Sequence, residues 1–468
     1  MAGITGIGSG LDIDGIVGAM VGAEKAPKEA QLARLEKAST TKFSALGQLK
    51  GALSEFQTAM KELNSLALFE KRTATSSNTS VLSASAEKSA LAGTYQLAVQ
   101  TLATSSRVAT AAVPSAYAAA EDGLLTVKLG AADAAGVDVE IAAGDTLEQI
   151  RDKLNTALKE KGISANIVNN PADGGTSRLV LSAKETGADK DIMISSVALA
   201  ELAVDGSVAA TSLGGAGYLG SPAQDAVFTI DGLTQTSASN NVEGVIPGVT
   251  FNLLSESEPG KSLTLSVGQD TDGVTANIKK FVSAYNKLIA TTSELTAVTQ
   301  VGEGKAPVLG GLVGDATVRT LLGGVRSELG NPANQSGVRV LADLGITTQK
   351  DGTLKIDDGK LSKAIDENFD AVSTFFTGDH GLMSRVDKRV DGFIQTGGVL
   401  ESRMKGLQST LTDIDKQREN LALRVEQMQT RLYSQFNAMD SLVAQLSSTS
   451  SWLTSALENL PGVVRKDK

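Results

Sequence analysis

Few residues in this chain could carry covalent or redox chemistry. Its 468 residues include a single histidine, His380, and no cysteine. Thiol nucleophiles, thiolate zinc sites, iron–sulfur clusters and disulfides are thereby excluded. Any Ser–His–Asp or histidine–metal scheme must use His380 alone. That residue stands in Gly378-Asp379-His380-Gly381, a turn-like run that predicts a solvated loop histidine. Gly260-Lys261-Ser262 ends like a phosphate-binding loop, but Ser255 stands where the motif needs its first glycine. Pro259-Gly260 reads better as a turn between strands. Gly6-Ile7-Gly8-Ser9-Gly10 fails the dinucleotide fingerprint because Leu11 follows and no strand precedes it. The acidic run 351–358 lacks the alternating ligands and final glutamate of a calcium loop and reads as a hairpin followed by a helix cap. No carboxylate pair is singled out for glycoside chemistry. The expectation is no enzyme, no cofactor and no metal.

The elements that would hold such residues point instead to assembly. Hydrophobic residues make up 41% of the chain and aromatics 4%, so its cores must be built from Leu, Val, Ile and Ala. A net charge of -10 argues against a nucleic-acid partner, which needs a basic surface. No run of about 18 apolar residues predicts a membrane-spanning helix. The opening MAGITGIGSGLDIDGIV has neither a basic region nor a long apolar core, so no cleaved secretory signal is expected and export would be signal-less.

Residues 1 to about 70 read as helical. Asp12 or Asp14 can cap a first helix in which Ile13, Ile16, Val17 and Met20 share a face, and Pro27 is expected to open a second. Leu46, Leu49, Leu53, Phe56, Met60 and Leu63 then step by alternating threes and fours, the spacing of a coiled-coil seam. From about 75 to 270 the alternation changes to period two, at Tyr95/Leu97/Val99, Val127/Leu129, Phe228/Ile230 and Leu263/Leu265/Val267, which predicts half-buried strands. One helix is embedded there, with Leu147, Ile150, Leu154 and Leu158 on one face, Asp145 as its expected cap and Gly162 after its end. Residues 196–221, with Gly214, Gly215 and Gly217, read as a loop or linker.

From about 271 to 400 the pattern is mainly helical. Ile278, Phe281, Val282, Tyr285, Leu288 and Ile289 form one stripe, and Leu361, Ile365, Phe369, Val372 and Phe376 another. Between them a hairpin is expected at Asp351-Gly352, a pair suited to a type I′ turn. The last helix carries the strongest signal. Stepping by threes and fours, the slots hold Met404, Leu407, Leu411, Ile414, Arg418, Leu421, Val425, Met428, Leu432, Gln435, Met439, Leu442 and Leu446, of which eleven of thirteen are apolar. Such a helix is roughly 60 Å long and cannot bury its stripe alone. The simplest architecture is an α+β multidomain fold. Its N- and C-terminal helices pair as a coiled-coil or helical-bundle stem, and β-rich domains are inserted, nested, between them. The expected divisions are 1–40 with 401–468 as a terminal leg, 41–76 with 271–400 as a stem, 77–105 with 222–270 as a β-rich head, and 106–221 as an outer head.

Several stretches, in order, resemble one family. They are Gly8-Ser9-Gly10-Leu11-Asp12-Ile13, Gly93-Thr94-Tyr95-Gln96-Leu97-Ala98-Val99, the helix from Leu147 to Asn155 with Gly162-Ile163-Ser164-Ala165, Leu344-Gly345-Ile346-Thr347 with Asp351-Gly352-Thr353-Leu354, and Tyr433, Gln435-Phe436, Asp440 and Leu442 before Ser448-Thr449-Ser450-Ser451-Trp452-Leu453. Together they resemble the bacterial flagellar filament cap family, also called hook-associated protein 2. The resemblance implies an oligomeric ring of identical chains at the distal, extracellular tip of the flagellum, which retains exported flagellin and helps it fold and polymerise. It implies contact with flagellin, the filament tip and the hook-associated junction proteins, a cytoplasmic export chaperone at the C-terminal region, and host mucin for some members. It further implies that the terminal helices are legs on the filament end. Leu11, Ile13, Ile16, Phe436, Trp452 and Leu453 are the expected filament contacts, the seam 46–63 is expected to pack within its own chain, and residues 404–446 are expected to be mobile in the free protein.

Other readings stay open. A filament-type or hook–filament junction subunit shares helical ends but makes an open polymer where a cap closes a ring. A glycan-binding head would need exposed aromatics, and only Tyr117 and Tyr218 lie between 106 and 221. A hydrolase would have to rest on His380. Ring size is not legible in the heptads.

Overall fold

A computed structural model describes residues 10–171, 175–211, 214–302 and 304–458. Two compact units emerge: a helical one built from both ends of the chain, up to Leu66 and from Thr271, and a β-rich one, Ala67–Asp270, formed by the middle.

The helical unit is organised on α1 (Ile13–Leu63), which packs against α4 (Thr271–Thr296), α7 (Leu382–Ile394) and α8 (Val399–Glu458). Asp12 caps α1, its carboxylate accepting the Gly15 N–H at 2.9 Å. Pro27 does not open a second helix; α1 runs through it. Proline costs a helix interior one hydrogen bond and a clash with the preceding turn, and here the packing of α1 along α8 carries the chain past that break. Leu46, Leu49, Leu53, Phe56, Met60 and Leu63 are all fully buried. Their environment is a multi-helix core, since the Phe56 ring lies 5.6 Å from Phe281 and 5.8 Å from Tyr285 on α4. The stripes read on α4 and on α6 (Asp358–Phe376) are buried throughout.

The hairpin before α6 pairs Ile346–Thr348 with Leu354–Ile356. Its turn is not type I′: only Gly352 has positive φ, at 86°, and the Gln349 N–H closes a longer loop onto the Thr353 carbonyl at 2.7 Å. The Asp351 carboxylate accepts from the Thr353 N–H and hydroxyl, which keeps Asp351 out of the left-handed region.

Helix α5 (Ala316–Gly330) is tied to the start of α8 by one carboxylate. Asp315 caps α5 by accepting the Thr317 N–H at 2.8 Å and receives the Arg403 guanidinium bidentately at 3.0 and 2.6 Å. That guanidinium holds the Asp315 carboxyl below the usual aspartate range, against the opposing effect of burial. A group whose folded pKa is depressed stabilises the fold above its unfolded pKa and loses that contribution as pH falls through the folded pKa. Asp315→Asn keeps the cap and removes the charge. It is expected to cost about 1 kcal/mol near neutrality, with the gap to the parent closing only below about pH 4; urea melts of both proteins across pH check this.

The β-rich unit contains two cores. The first lies between a five-stranded antiparallel sheet, ordered Arg72–Ser76, Leu263–Gln269, Gly93–Thr101, Ala226–Ile230, Leu233–Ser237, and a three-stranded one, Asn241–Ile246, Val249–Leu253, Leu82–Ala86. Phe228 and Phe251 meet edge to face at its centre, 5.6 Å apart. Residues 67–76, which include most of the short helix α2 (Leu66–Glu70), therefore leave the stem to which the sequence pattern gave them, because Arg72–Ser76 pairs along Leu263–Gln269.

The second core, with buried residues from Val108 to Val204, joins two further sheets to α3 (Leu147–Leu158). The cap of α3 is Thr146 with Gln149 in a reciprocal capping box, not Asp145. Asp145 instead accepts the Ala142 N–H and pairs with Lys153. The stretch read as a linker from 196 is packed at its start, where Leu199, Leu202 and Val204 are buried in this core. Its low charge marked burial as much as looseness.

Candidate assembly interface

The helical ends meet directly. Helix α8 runs antiparallel to α1, with Arg418 opposite Glu36 and Met404 beside Gly47. Near the start of α1, Ile13 and Val17 are buried with Leu432, and Val21, Met428, Tyr433 and Phe436 pack around them. The i, i+4 line of α1 therefore faces α8, while Ile16 is half-buried and Met20 points outward. A hydrogen bond from the Tyr433 hydroxyl to the Asp14 carboxylate raises the tyrosine pKa and fastens α8 to the first turn of α1.

Arg418 explains the polar slot in the seam. Its guanidinium pairs with the Glu36 carboxylate, which is held below the ordinary glutamate range chiefly by that hydrogen bond. A charge at this position fixes the register of the two helices. Gln435, the other polar slot, is exposed.

The seam residues divide along α8. Ile414, Leu421 and Leu432 are buried, and Met404, Leu407, Leu411, Val425 and Met428 are half-buried toward α1. Beyond Phe436, α1 has ended. Residues 437–458 continue α8 for about 33 Å, and among the described residues nothing covers their apolar stripe. Met439, Leu442, Leu446 and Leu453 are exposed there, as are Val443, Trp452 and Leu457. Leu442 and Leu446 are 59% and 68% accessible. Apolar side chains that continue a packed seam into solvent mark a binding surface.

The six residues expected on the filament thus separate. Ile13 is 1% exposed, and Phe436 packs against the cluster that Ile13 forms with Val17 and Leu432, so both are engaged within the chain. Ile16 is intermediate, and Leu11, Trp452 and Leu453 remain free. Mobility over all of 404–446 also gives way, since the part up to 436 lies on α1. Slow hydrogen exchange is expected across 404–436 of the isolated chain and fast exchange across 440–458; uniform protection to 458 would contradict the bare end. Glu36 and the bond between Asp14 and Tyr433 become visible only with the partner helix in place, whereas Val443 and Leu457 lie on the same three-and-four spacing and were within reach of it.

Elsewhere, His380 is exposed in its turn. Among the described residues no group of three or more His, Cys, Asp or Glu side chains is placed to hold a metal, and no helix is long and apolar enough to cross a membrane. The glycine-rich run from Gly6 lies outside the described residues as far as Ser9.

Comparison with known proteins gives a consistent result. Family models match residues 9–106 (flagellar hook-associated protein 2 N-terminus), 223–448 (flagellar hook-associated protein 2 C-terminus) and 125–185 (flagellin hook IN motif). The A-type flagellar hook-associated protein 2 of Pseudomonas aeruginosa is 52% identical over 474 residues, covering 99% of this chain and 98% of that protein. The flagellar hook-associated protein 2 of Escherichia coli K12 is 32% identical over 469 residues, with 97% of each covered. Among solved structures, the D1-D2-D3 domains of the flagellar cap protein FliD from Escherichia coli align with a TM-score of 0.55 at 30% identity, over 78% of this chain and 99% of that one.

Proposed function

The chain belongs to the flagellar hook-associated protein 2 family, and on that premise we propose that it is the structural cap at the distal, extracellular end of the flagellar filament. It is a structural protein and not an enzyme. Copies of it assemble at the filament tip, retain arriving flagellin and promote its insertion.

The observation that carries this reading is the bare end of α8. Residues 437–458 present an apolar stripe that the rest of the described chain leaves open. A leg that must stand on a filament end, release it and stand again as subunits arrive needs such a surface. Its partner is the outermost flagellin. Before export the same stripe would aggregate, so it is also the segment a cytoplasmic chaperone would cover, and the hook-associated junction proteins are the first surface it meets at the start of filament growth. The paired part, 404–436, holds this end at a fixed register through Arg418 and Glu36.

Expression in a cap-deficient strain of a flagellated bacterium tests the proposal. Long filaments and little free flagellin in the medium are expected. Short or absent filaments with abundant soluble flagellin, despite normal export of this chain, would sink it.

A further inference from the structure

Among the strand edges that end the sheets of the β-rich unit, two fit each other. The first is Leu233–Ser237, last in its five-stranded sheet. Asp231 and Gly232 both have positive φ, 49° and 83°, so a two-residue type I′ turn joins this strand to Ala226–Ile230. Ile230 and Leu233 are then a hydrogen-bonded pair, and alternation turns the N–H and C=O of Thr234 and Thr236 outward. The strand carries no charge and no proline, the usual guards of a free edge. It also overhangs its core: Leu233 sits opposite Ile230, two residues along the sheet face from buried Phe228, yet is 68% exposed.

The second edge is Val137–Ile141, last in its four-stranded sheet. Between it and α3 lies a groove of about 1070 Å³. Leu124, Ala157 and the buried Val139 and Ile141 line the groove on its apolar side, while Asp138 and Glu140 on the strand, with Asp122 and Asp152, give it an acidic rim that holds one lysine, Lys153.

We propose that in the assembled ring Leu233–Ser237 of one copy adds to the Val137–Ile141 edge of the next, placing Leu233 in the groove beside α3. This rests on the reading of the chain as a ring-forming cap. Charge selects the pairing. Two copies of Val137–Ile141 would set Asp138 and Glu140 against themselves, a costly arrangement. Two copies of Leu233–Ser237 would form an isologous dimer and stop there. The mixed pairing joins two strands of five residues, one acidic and one neutral with threonine and glutamine side chains, and it is heterologous, the type that closes rings.

The absence of native cysteine makes the test direct. Full-length Asp138→Cys and Thr236→Cys are mixed, oxidised and compared with each alone. Both positions are exposed, and Asp138→Cys gives up only the surface hydrogen bond that Asp138 accepts from Thr126, so a folded chain, checked by circular dichroism, is expected for both. A covalent mixed dimer is expected, with little product from either variant alone. In native mass spectra, Thr236→Glu is expected to weaken the closed oligomer about tenfold or more, Thr236→Lys to preserve it, and Asp138→Lys to restore the Thr236→Glu protein. A parent ring that survives Thr236→Glu, with no mixed cross-link, overturns this contact and leaves the cap reading standing. A parent that forms no closed oligomer at any concentration overturns both.

Discussion

Leu442→Glu combined with Leu446→Glu leaves the isolated chain folded and abolishes its capping. Both side chains are more than half exposed on the unpaired end of α8, and glutamate is nearly as good a helix former as leucine. Surface changes of this kind move stability by about 0.5 kcal/mol at most, so the melting temperature of the free protein should be unchanged. In the proposed filament contact both positions become buried. Losing two leucine side chains removes about 3–6 kcal/mol of apolar contact, before the cost of desolvating two carboxylates. At about 1.4 kcal/mol per factor of ten, affinity for the filament end falls by more than about 100-fold. In a cap-deficient strain the double variant should therefore leak as much flagellin as no cap at all. Leu423→Glu is the matched control. Leu423 is 57% exposed on the same helix, but it lies off the stripe and within the paired part, so it should cap normally. Equal leakage from both variants would mean that the stripe has no special role.

The largest effect on stability is expected from Phe56→Ala. Phe56 is fully buried where α1 crosses α4, between Phe281 and Tyr285. The Tyr285 hydroxyl donates to the Gly352 carbonyl at 3.0 Å, so this aromatic cluster also anchors the hairpin before α6. Removing a buried phenylalanine costs about 3–5 kcal/mol through lost transfer energy and the cavity left behind. The loss should fall on the helical unit, because the β-rich unit has its own two cores. Circular dichroism at a helix-sensitive wavelength during urea titration should show the helical transition moving to lower denaturant. Tryptophan fluorescence would miss it, since Trp452, the sole tryptophan, is 68% exposed on the bare end of α8. A single unshifted transition would contradict the core assigned to this helix crossing.

Local periodicity made much of this architecture legible. Leu46 to Leu63 and the stripes of α4 and α6 announced buried helix faces, and every residue named on them is buried. Pattern alone did not say what each face meets. The seam 46–63 looks like a two-stranded coil in sequence and lies in a multi-helix core, because heptad spacing records that a face is covered and not by how many partners. Pro27 misled for a related reason. Its local penalty is fixed by chemistry, whereas the compensation comes from α8, nearly 400 residues downstream. Asp145 and Thr146 are adjacent good caps, and the choice turned on Gln149 reaching back to complete the box. The assembly surface was half legible. The stripe from Met404 to Leu446 is continuous in sequence, but the place where α1 ends and leaves α8 uncovered follows from the register that Glu36 and Arg418 set. Ile13 and Phe436 were expected on the filament for want of that register; both belong instead to the cluster around Val17 and Leu432.

On the proposed reading the chain stands on the filament end through residues 437–458 of α8. Electron microscopy of filaments grown in a cap-deficient strain carrying this protein can show whether it does. The expected image is a closed ring at the distal tip only, with the bare ends of α8 seated on the outermost flagellin subunits. Density at the hook junction or along the filament, or a tip complex whose α8 ends face solvent, would contradict it.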